Sequence, residues 1–382
     1  MIETPDIPFS RPCFLGPELD YVRQAVESGG TLAGGGLFNK TCERILGERL
    51  GSPALLTTSG THALELAAML LDLKDGDEII APSFTFVSSV NAFLLRGARP
   101  RFVDNDRFGN IDLDQVEAAI TPKTRAVAVV HYAGNSCDME RLAKICRARG
   151  VALVEDAAQS LGARYSGKPL GTFGAFGCVS FHDTKNLTCG EGGALIVNDR
   201  DKLARAEILR EKGTNRSQFL QGLVDKYTWI DVGSSYVLSE LNAAYLLAQL
   251  ERIDAITEAR GKIWKRYREE LAASARGLGA ELLDTPPGCT PNYHAFGIVF
   301  ASPGVRAKFI AHMKSRGVTT PFHYVALHTS PYGKKFLMGK ESLANCMRLS
   351  DGLVRLPIFH GLGDDEQTYI IKEIRNFADK RA

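Results

Sequence analysis

Between about residues 50 and 200 the hydrophobic pattern changes period repeatedly. Short runs rich in aliphatic and β-branched residues fall at Ala54 to Thr57, Glu78 to Ala81, Pro100 to Val103, Ala126 to Val130, Ala152 to Glu155, Phe176 to Phe181 and Ala194 to Val197. Segments with helical spacing separate them, which is the rhythm of βα units on a mostly parallel sheet. Asp138 to Arg149 is one such helix: Asp138 suits its N-cap, Leu142, Ile145 and Cys146 share a face, and Gly150 suits its stop. A longer helical pattern runs from Ser239 to about Ala272, with Leu241, Ala244, Tyr245, Ala248, Leu250 and Ile253 recurring on one side. It is predicted to bridge two domains. The prolines and glycine of Leu283 to Pro291 read as a loop. A strand at Tyr293 to Phe300 and a helix at Val305 to Arg316, closed by Gly317, then predict a small α+β unit. The expected division is a large α/β domain with an N-terminal arm over residues 1–250 and a small C-terminal domain over 251–382 that starts in the linking helix. No internal repeat is visible.

Composition narrows the function classes. With 45% apolar and 24% charged residues, the 382-residue chain is globular in character, which excludes disordered, collagen-like and coiled-coil architectures. Its 46 basic and 44 acidic residues leave a formal charge of +2, too little for a field that gathers nucleic acid or anionic membrane. Any polyanionic ligand must be held locally. No run approaches the roughly 18 to 20 apolar residues a spanning helix needs, and the opening MIETPDIPFSRP has no apolar signal core, so a soluble cytoplasmic protein is expected. The eight cysteines include no C-x-x-C pair and no Cys/His cluster at zinc spacing, which predicts reduced thiols, several of them buried, and no metal.

Open parallel sheets bind ligands at the carboxyl ends of their strands, and several of those ends carry reactive chemistry. After Ala54 to Thr57 come Thr58, Ser59, Gly60, Thr61 and His62, leading into the apolar helix Ala63 to Leu73. Small residues at a helix start expose N–H groups and hydroxyls to an anion, although an ordinary capped helix looks the same. After Ala152 to Glu155 comes Asp156, an acid at the end of an apolar strand that needs a cationic partner, a solvent edge or a helix to cap. One such partner is a protonated pyridine nitrogen. Ser180-Phe181-His182-Asp183-Thr184-Lys185 is followed by Gly190-Glu191-Gly192-Gly193, which places one lysine between an apolar strand and a glycine-rich return. Partial desolvation there lowers the amine's pKa and favours the neutral form that makes a Schiff base. A lone lysine is usually a surface charge. Cradle, acid, glutamine, serine and lysine in this order are what a phosphorylated pyridine cofactor would use. No G-x-G-x-x-G opens a βα unit, which argues against NAD.

Thr58-Ser59-Gly60-Thr61, Pro82-Ser83-Phe84-Thr85-Phe86, Val154-Glu155-Asp156-Ala157-Ala158-Gln159 and the Ser180 to Lys185 segment resemble the DegT/DnrJ/StrS sugar aminotransferases. The resemblance runs from Pro8-Phe9 to Leu356-Pro357-Ile358-Phe359. Within the family it is nearest to the branch making dTDP-4-amino-4,6-dideoxygalactose, through Val130 to Gly134, Arg210 to Phe219 and Asp225 to Trp229.

The resemblance implies a fold-type I, pyridoxal 5′-phosphate-dependent homodimer with active sites at the subunit interface. Lys185 would bond the cofactor and then shuttle the proton, Asp156 would hold the pyridine nitrogen protonated, and Gln159 would touch the ring hydroxyl. Phe86 would stack on one ring face and Ala157 on the other, while Gly60, Thr61 and Ser180 would bind the phosphate. Where many relatives carry Gly-x-Asn-x-Arg, this chain has Gly233-Ser234-Ser235-Tyr236-Val237, so Ser235 is the candidate for the partner's phosphate. Tyr324-Val325-Ala326-Leu327-His328 replaces a segment with two prolines and leaves Tyr324 and His328 as substrate-side candidates. Arg210, Lys212 and Arg216 are candidates for a nucleotide diphosphate. The expected reaction moves an amino group from L-glutamate to C4 of a dTDP-linked 4-keto-6-deoxyhexose. The galacto product, its gluco epimer and a 3-amino sugar remain open, as does a non-catalytic regulator. Related deoxysugar dehydratases have histidine where Lys185 stands, which argues against that activity.

Overall fold

A computed structural model describes residues 5–339 and 341–379, without the side chain of Arg276. All seven expected strands form one sheet, with ends within two residues of those expected. They are β1 (Ala54–Thr57), β2 (Glu78–Pro82), β3 (Arg99–Val103), β4 (Thr124–Val130) and β5 (Ala152–Asp156), joined after two short strands, β6 (Arg164–Tyr165) and β7 (Lys168–Pro169), by β8 (Phe176–Ser180) and β9 (Gly193–Val197). The order is β1-β9-β8-β5-β4-β2-β3. β9 is antiparallel to both of its neighbours, and the other pairings are parallel. β9 returns from β8 through the glycine-containing segment 181–192, which forms no helix that could carry the chain across to a parallel strand.

Both faces of the sheet are buried, and alternate side chains divide between them. On β1 and β9, Leu55, Leu195 and Val197 pack toward the helix Gly60–Leu70, while Ala54, Leu56, Ala194 and Ile196 pack toward the helices Leu37–Leu50 and Glu240–Leu250. Six strands run one way, so the carboxyl ends of β1, β2, β4, β5 and β8 line one edge. The register puts Thr57, Gly193 and Ser180 side by side there, with Asp156 beside Val130.

The pattern read as one helix from Ser239 to about Ala272 is two, Glu240–Leu250 and Ile253–Gly277. No glycine or proline marks the break. Leu250, Ile253 and Ile256 pack in the cluster under the main sheet, while Ile263, Tyr267 and Leu271 pack in a second one with Phe296, Phe309 and Phe377. The chain bends at Glu251 to serve both. The second cluster surrounds the antiparallel sheet of β10 (Ala280–Leu282), β12 (Phe296–Phe300) and β13 (Leu353–Leu356). A third sheet joins β6 and β7 to β11 (Cys289–Thr290). All eight cysteines are free and all but Cys289 are buried. Among the described residues no helix is long and apolar enough to cross a membrane, and no His, Cys, Asp and Glu cluster is arranged to hold a metal.

Candidate active site

The loops leaving the carboxyl edge enclose a cavity of about 520 Å³. One wall is the start of the helix Gly60–Leu70, capped by Ser59, whose Oγ accepts from the His62 N–H at 3.1 Å. The capped-helix reading of this segment therefore holds. The cradle reading stands beside it, because Gly60, Thr61 and Ser180 all line the cavity. A Cβ on Gly60 would sit 2.8 Å from that of Ser180, so only glycine lets the helix start approach the end of β8. Thr61 Oγ1 shares a 2.8 Å hydrogen bond with Ser88 Oγ.

Across the cavity, Asp156 is buried at the end of β5. Its Oδ2 accepts from Ser89 Oγ at 2.6 Å and its Oδ1 from the Ala158 N–H at 3.1 Å. No cationic side chain pairs with it among the described residues. Lys185 lies in the turn after β8, half-buried and lining the same cavity. Burial pulls its amine below the ordinary lysine range and Arg355 adds to this, while Asp156 opposes it. Gln159 accepts from the Ala133 N–H with Oε1 and donates from Nε2 to Tyr324 Oη, both at 2.8 Å. The ring of Phe86 is 53% exposed and borders the cavity, 6.1 Å from that of Tyr324.

Three expectations are corrected. Ala157 is in the core, and Ala158 lines the cavity instead. The chain leaves β5 after Asp156 in a turn that sends Ala157 into the core and brings Ala158 and Gln159 to the cavity. His328 is outside the cavity. Ser83 Oγ bonds its Nδ1 at 2.6 Å and accepts from its N–H at 3.1 Å, which docks the turn Leu327–Thr329 onto the end of β2. His323 takes the expected place: it stacks on Tyr324 with ring centroids 3.6 Å apart, and its Nδ1 bonds Tyr132 Oη at 2.6 Å. Arg210 is buried, held by Glu43 and by Leu56 O at 3.1 Å, and is not offered to a ligand. Arg355, on β13, lines the cavity and was not foreseen.

Ser235 and Arg216 are placed elsewhere. They line a second opening of about 610 Å³ with Thr58, Lys212 and Glu191, and Glu191 borders both spaces. Arg216 pairs there with Glu211 at 3.1 Å.

The profile of the DegT/DnrJ/EryC1/StrS aminotransferase family matches residues 15–375. The chain belongs to this family. It is 30% identical over its whole length, and over the whole of the other protein, to the uncharacterized protein MJ1066 of Methanocaldococcus jannaschii. Among solved structures it is similar to the aminotransferase TlmJ of Streptoalloteichus hindustanus, with 30% identity, a TM-score of 0.89 and coverage of 98% and 99% of the two chains. It is also similar to the PLP form of Spr1654 of Streptococcus pneumoniae, a putative sugar aminotransferase, with 26% identity, a TM-score of 0.89 and coverage of 99% and 100%.

The cofactor of this aminotransferase is pyridoxal 5′-phosphate, and the residues present fit it. A helix start closed by glycine suits the phosphate. A buried carboxylate without a cation suits a pyridinium, and a desolvated amine suits the aldehyde.

Proposed function

We propose that this aminotransferase moves an amino group from L-glutamate to C4 of dTDP-4-keto-6-deoxyglucose, giving dTDP-4-amino-4,6-dideoxygalactose and 2-oxoglutarate. One observation carries the aminotransferase chemistry: the depressed amine of Lys185 and the unpaired carboxylate of Asp156 border one cavity whose wall is the Gly60 helix start. The sugar class is supported by the neighbours named above, and the 4-amino product by the Val130 to Gly134, Arg210 to Phe219 and Asp225 to Trp229 segments.

When bound, pyridoxal phosphate carries the amino group and accepts the electrons released at the donor's Cα. The protein's part is to place and to charge. The N–H groups of Gly60 and Thr61, with the Ser180 hydroxyl, hold the phosphate. Asp156 keeps a proton on the ring nitrogen, and its own position is fixed by Ser89 and the Ala158 N–H. Phe86 covers a ring face. Gln159, locked between Ala133 and Tyr324, keeps one amide hydrogen for the ring hydroxyl. Lys185, neutral more readily than an exposed lysine, takes the proton from the donor's Cα and later returns one to the sugar carbon. We further propose a homodimer in which Ser235 and Arg216 serve the partner's site.

The test is an absorbance titration of the purified, cofactor-loaded protein. A visible band that falls with L-glutamate and recovers with dTDP-4-keto-6-deoxyglucose supports both halves, and product NMR then assigns C4. A fall without recovery rejects this sugar, and no fall rejects glutamate as donor.

A further inference from the structure

Two small chambers, of about 10 and 30 Å³, adjoin the main cavity, and Gln159 and Lys185 line all three spaces. His294 lines the two small chambers and does not border the main one. It is buried, and the mechanism above gives it no task. Its segment, Asn292 to His294 just ahead of β12, is pinned by Arg260, by the turn of Gln159 and by the turn of Lys185. The buried Arg260 donates from Nε to Tyr293 O at 3.1 Å and from Nη2 to His294 O at 2.7 Å. Tyr293 takes a φ of +56°, a left-handed backbone that a tyrosine keeps only where its surroundings impose it. The buried Asn292 donates to Gln159 O at 2.9 Å and to Leu161 O at 3.0 Å. Asn186, next to Lys185, donates from Nδ2 to Asn292 O at 2.8 Å, which leaves its Oδ1 2.9 Å from His294 Nδ1.

These bonds set the tautomer. An amide oxygen only accepts, so Nδ1 carries the ring's hydrogen. Desolvation, with Lys185, Arg260 and Arg355 adding to it, holds the pKa of the ring well below 6.5, so the imidazole is neutral and Nε2 keeps a lone pair. Nε2 has no hydrogen-bond partner among the described residues. We propose that His294 is a positioning residue for Lys185, its Nε2 accepting a hydrogen bond from the lysine amine, directly or through one water, whenever that amine is not bonded to the cofactor. The inference rests on the aminotransferase reading above and adds what holds the lysine between its two proton transfers. The 10 Å³ chamber has room for one water at most, which limits the gap to be bridged. A neutral amine donates one N–H to Nε2 and keeps its lone pair for the donor's Cα; the ammonium formed when it takes the proton donates in the same way. A carboxylate in this place would hold the proton on the lysine, and a neutral imidazole does not. The other charged groups around the small chambers, Arg260 and Arg355, are donors only. With the Tyr132 hydroxyl donating to its Nδ1 at 2.6 Å, the neutral His323 keeps its hydrogen on Nε2 and accepts nothing there.

The experiment compares His294→Asn and His294→Gln with the unaltered, cofactor-loaded protein. The asparagine amide reaches about as far as Nδ1 and keeps the bond to Asn186, whereas the glutamine amide reaches toward Nε2 and can still offer an oxygen to Lys185. His294→Asn is expected to slow single-turnover bleaching by L-glutamate roughly tenfold or more, with the glutamate concentration for half-maximal rate and the cofactor affinity unchanged. His294→Gln should recover at least part of that rate. Equal rates for the unaltered protein and His294→Asn overturn the proposal. So does a loss shared by both variants in step with their thermal midpoints, which would make the histidine a packing residue. The second readout involves no rate. In a crystal structure of the unaltered protein bleached by L-glutamate, Nζ of Lys185 should lie within about 3.2 Å of His294 Nε2 or be joined to it by one water. An amine turned away from His294 overturns the proposal even if neither variant folds. The two readings fail differently. No bleaching of the unaltered protein rejects the glutamate reaction and this proposal with it, whereas bleaching that ignores His294→Asn rejects the positioning role alone.

Discussion

Asp156 is held by two hydrogen bonds whose geometry an asparagine can reproduce, so Asp156→Asn isolates the charge. The variant should keep the fold, and its glutamate half-reaction should slow by roughly 10²-fold or more, the cost of losing one fixed electrostatic partner of a reacting group. Stopped-flow bleaching measures this, and an unchanged rate would remove Asp156 from the ring nitrogen. His294 makes a different prediction. It is buried, with Nδ1 on Asn186 Oδ1 at 2.9 Å, and desolvation, reinforced by Lys185 and Arg260, keeps its pKa well below 6.5. The folded state keeps this imidazole neutral while the unfolded chain protonates it below about pH 6.5, so the unfolded state binds more protons there. Stability is therefore full above pH 6.5 and falls as the pH drops, by up to about 1.4 kcal/mol per unit. Denaturation midpoints at pH 7.5 and 5.5 should differ more for the unaltered protein than for His294→Gln, and equal differences would contradict the assignment. Asp156 and Ser180 stand out in the sequence because they end apolar strands, and Gln159 and Lys185 because they follow in the loops just beyond, Lys185 ahead of a glycine-rich return; the structure brings the four to one cavity. Ala158 was not legible, because the chain leaves β5 after Asp156 and only the turn that follows brings Ala158 to the cavity. Nor were Arg355 and His323, since they reach the site only when segments more than 130 residues from Lys185 close over the sheet edge.

At the level of elements, the site depends on how closely β9 passes the helix Gly60–Leu70. A Cβ on Gly193 would meet Ser59 C at 2.4 Å and Gly60 N at 2.5 Å, and these are backbone atoms that cannot swing away. Gly193→Ala should destabilise the fold by about 1–3 kcal/mol through overpacking. It should also push the helix start out of line and weaken pyridoxal phosphate by tenfold or more. Thermal denaturation and a cofactor titration read the two effects separately, and retained affinity would mean the helix start is not the cradle. The strands themselves were readable from their apolar runs, but the direction of β9 was not, because periodicity carries no sign. The bend at Glu251 was hidden for a related reason: both helices present apolar residues at the same spacing, and only their packing against different clusters separates them. The capping of the helix Leu37–Leu50 was also unseen. Its N-cap is Gly36, and the carboxylate of Glu240 supplies the missing acceptor for the N–H groups of Phe38 at 2.9 Å and Asn39 at 3.0 Å, from about 200 residues away.

For the whole molecule, the segment from Arg216 to Val232 leaves Leu220, Leu223, Trp229, Ile230 and Val232 exposed beside the second opening, with Trp229 at 78%. Five large apolar side chains exposed within one segment are what the interface of the proposed dimer would need. A second copy that covered it would bring one chain's Ser235 and Arg216 toward the other's cofactor site, as the dimer proposed above requires. Trp229→Glu places a charge in that interface and should convert the protein from dimer to monomer in sedimentation velocity, with turnover lost. Arg216→Ala should leave the dimer intact, because the partner of Arg216, the half-buried Glu211, belongs to the same chain. In that variant the glutamate half-reaction should continue while sugar-nucleotide affinity falls, by roughly tenfold for one charge-assisted contact. The two variants together separate assembly from recognition. A monomeric Trp229→Glu protein with full turnover would place the complete site within one chain and leave Arg216 a surface charge. A dimeric Arg216→Ala protein that binds the sugar nucleotide normally would keep the dimer and move the diphosphate contact to other residues.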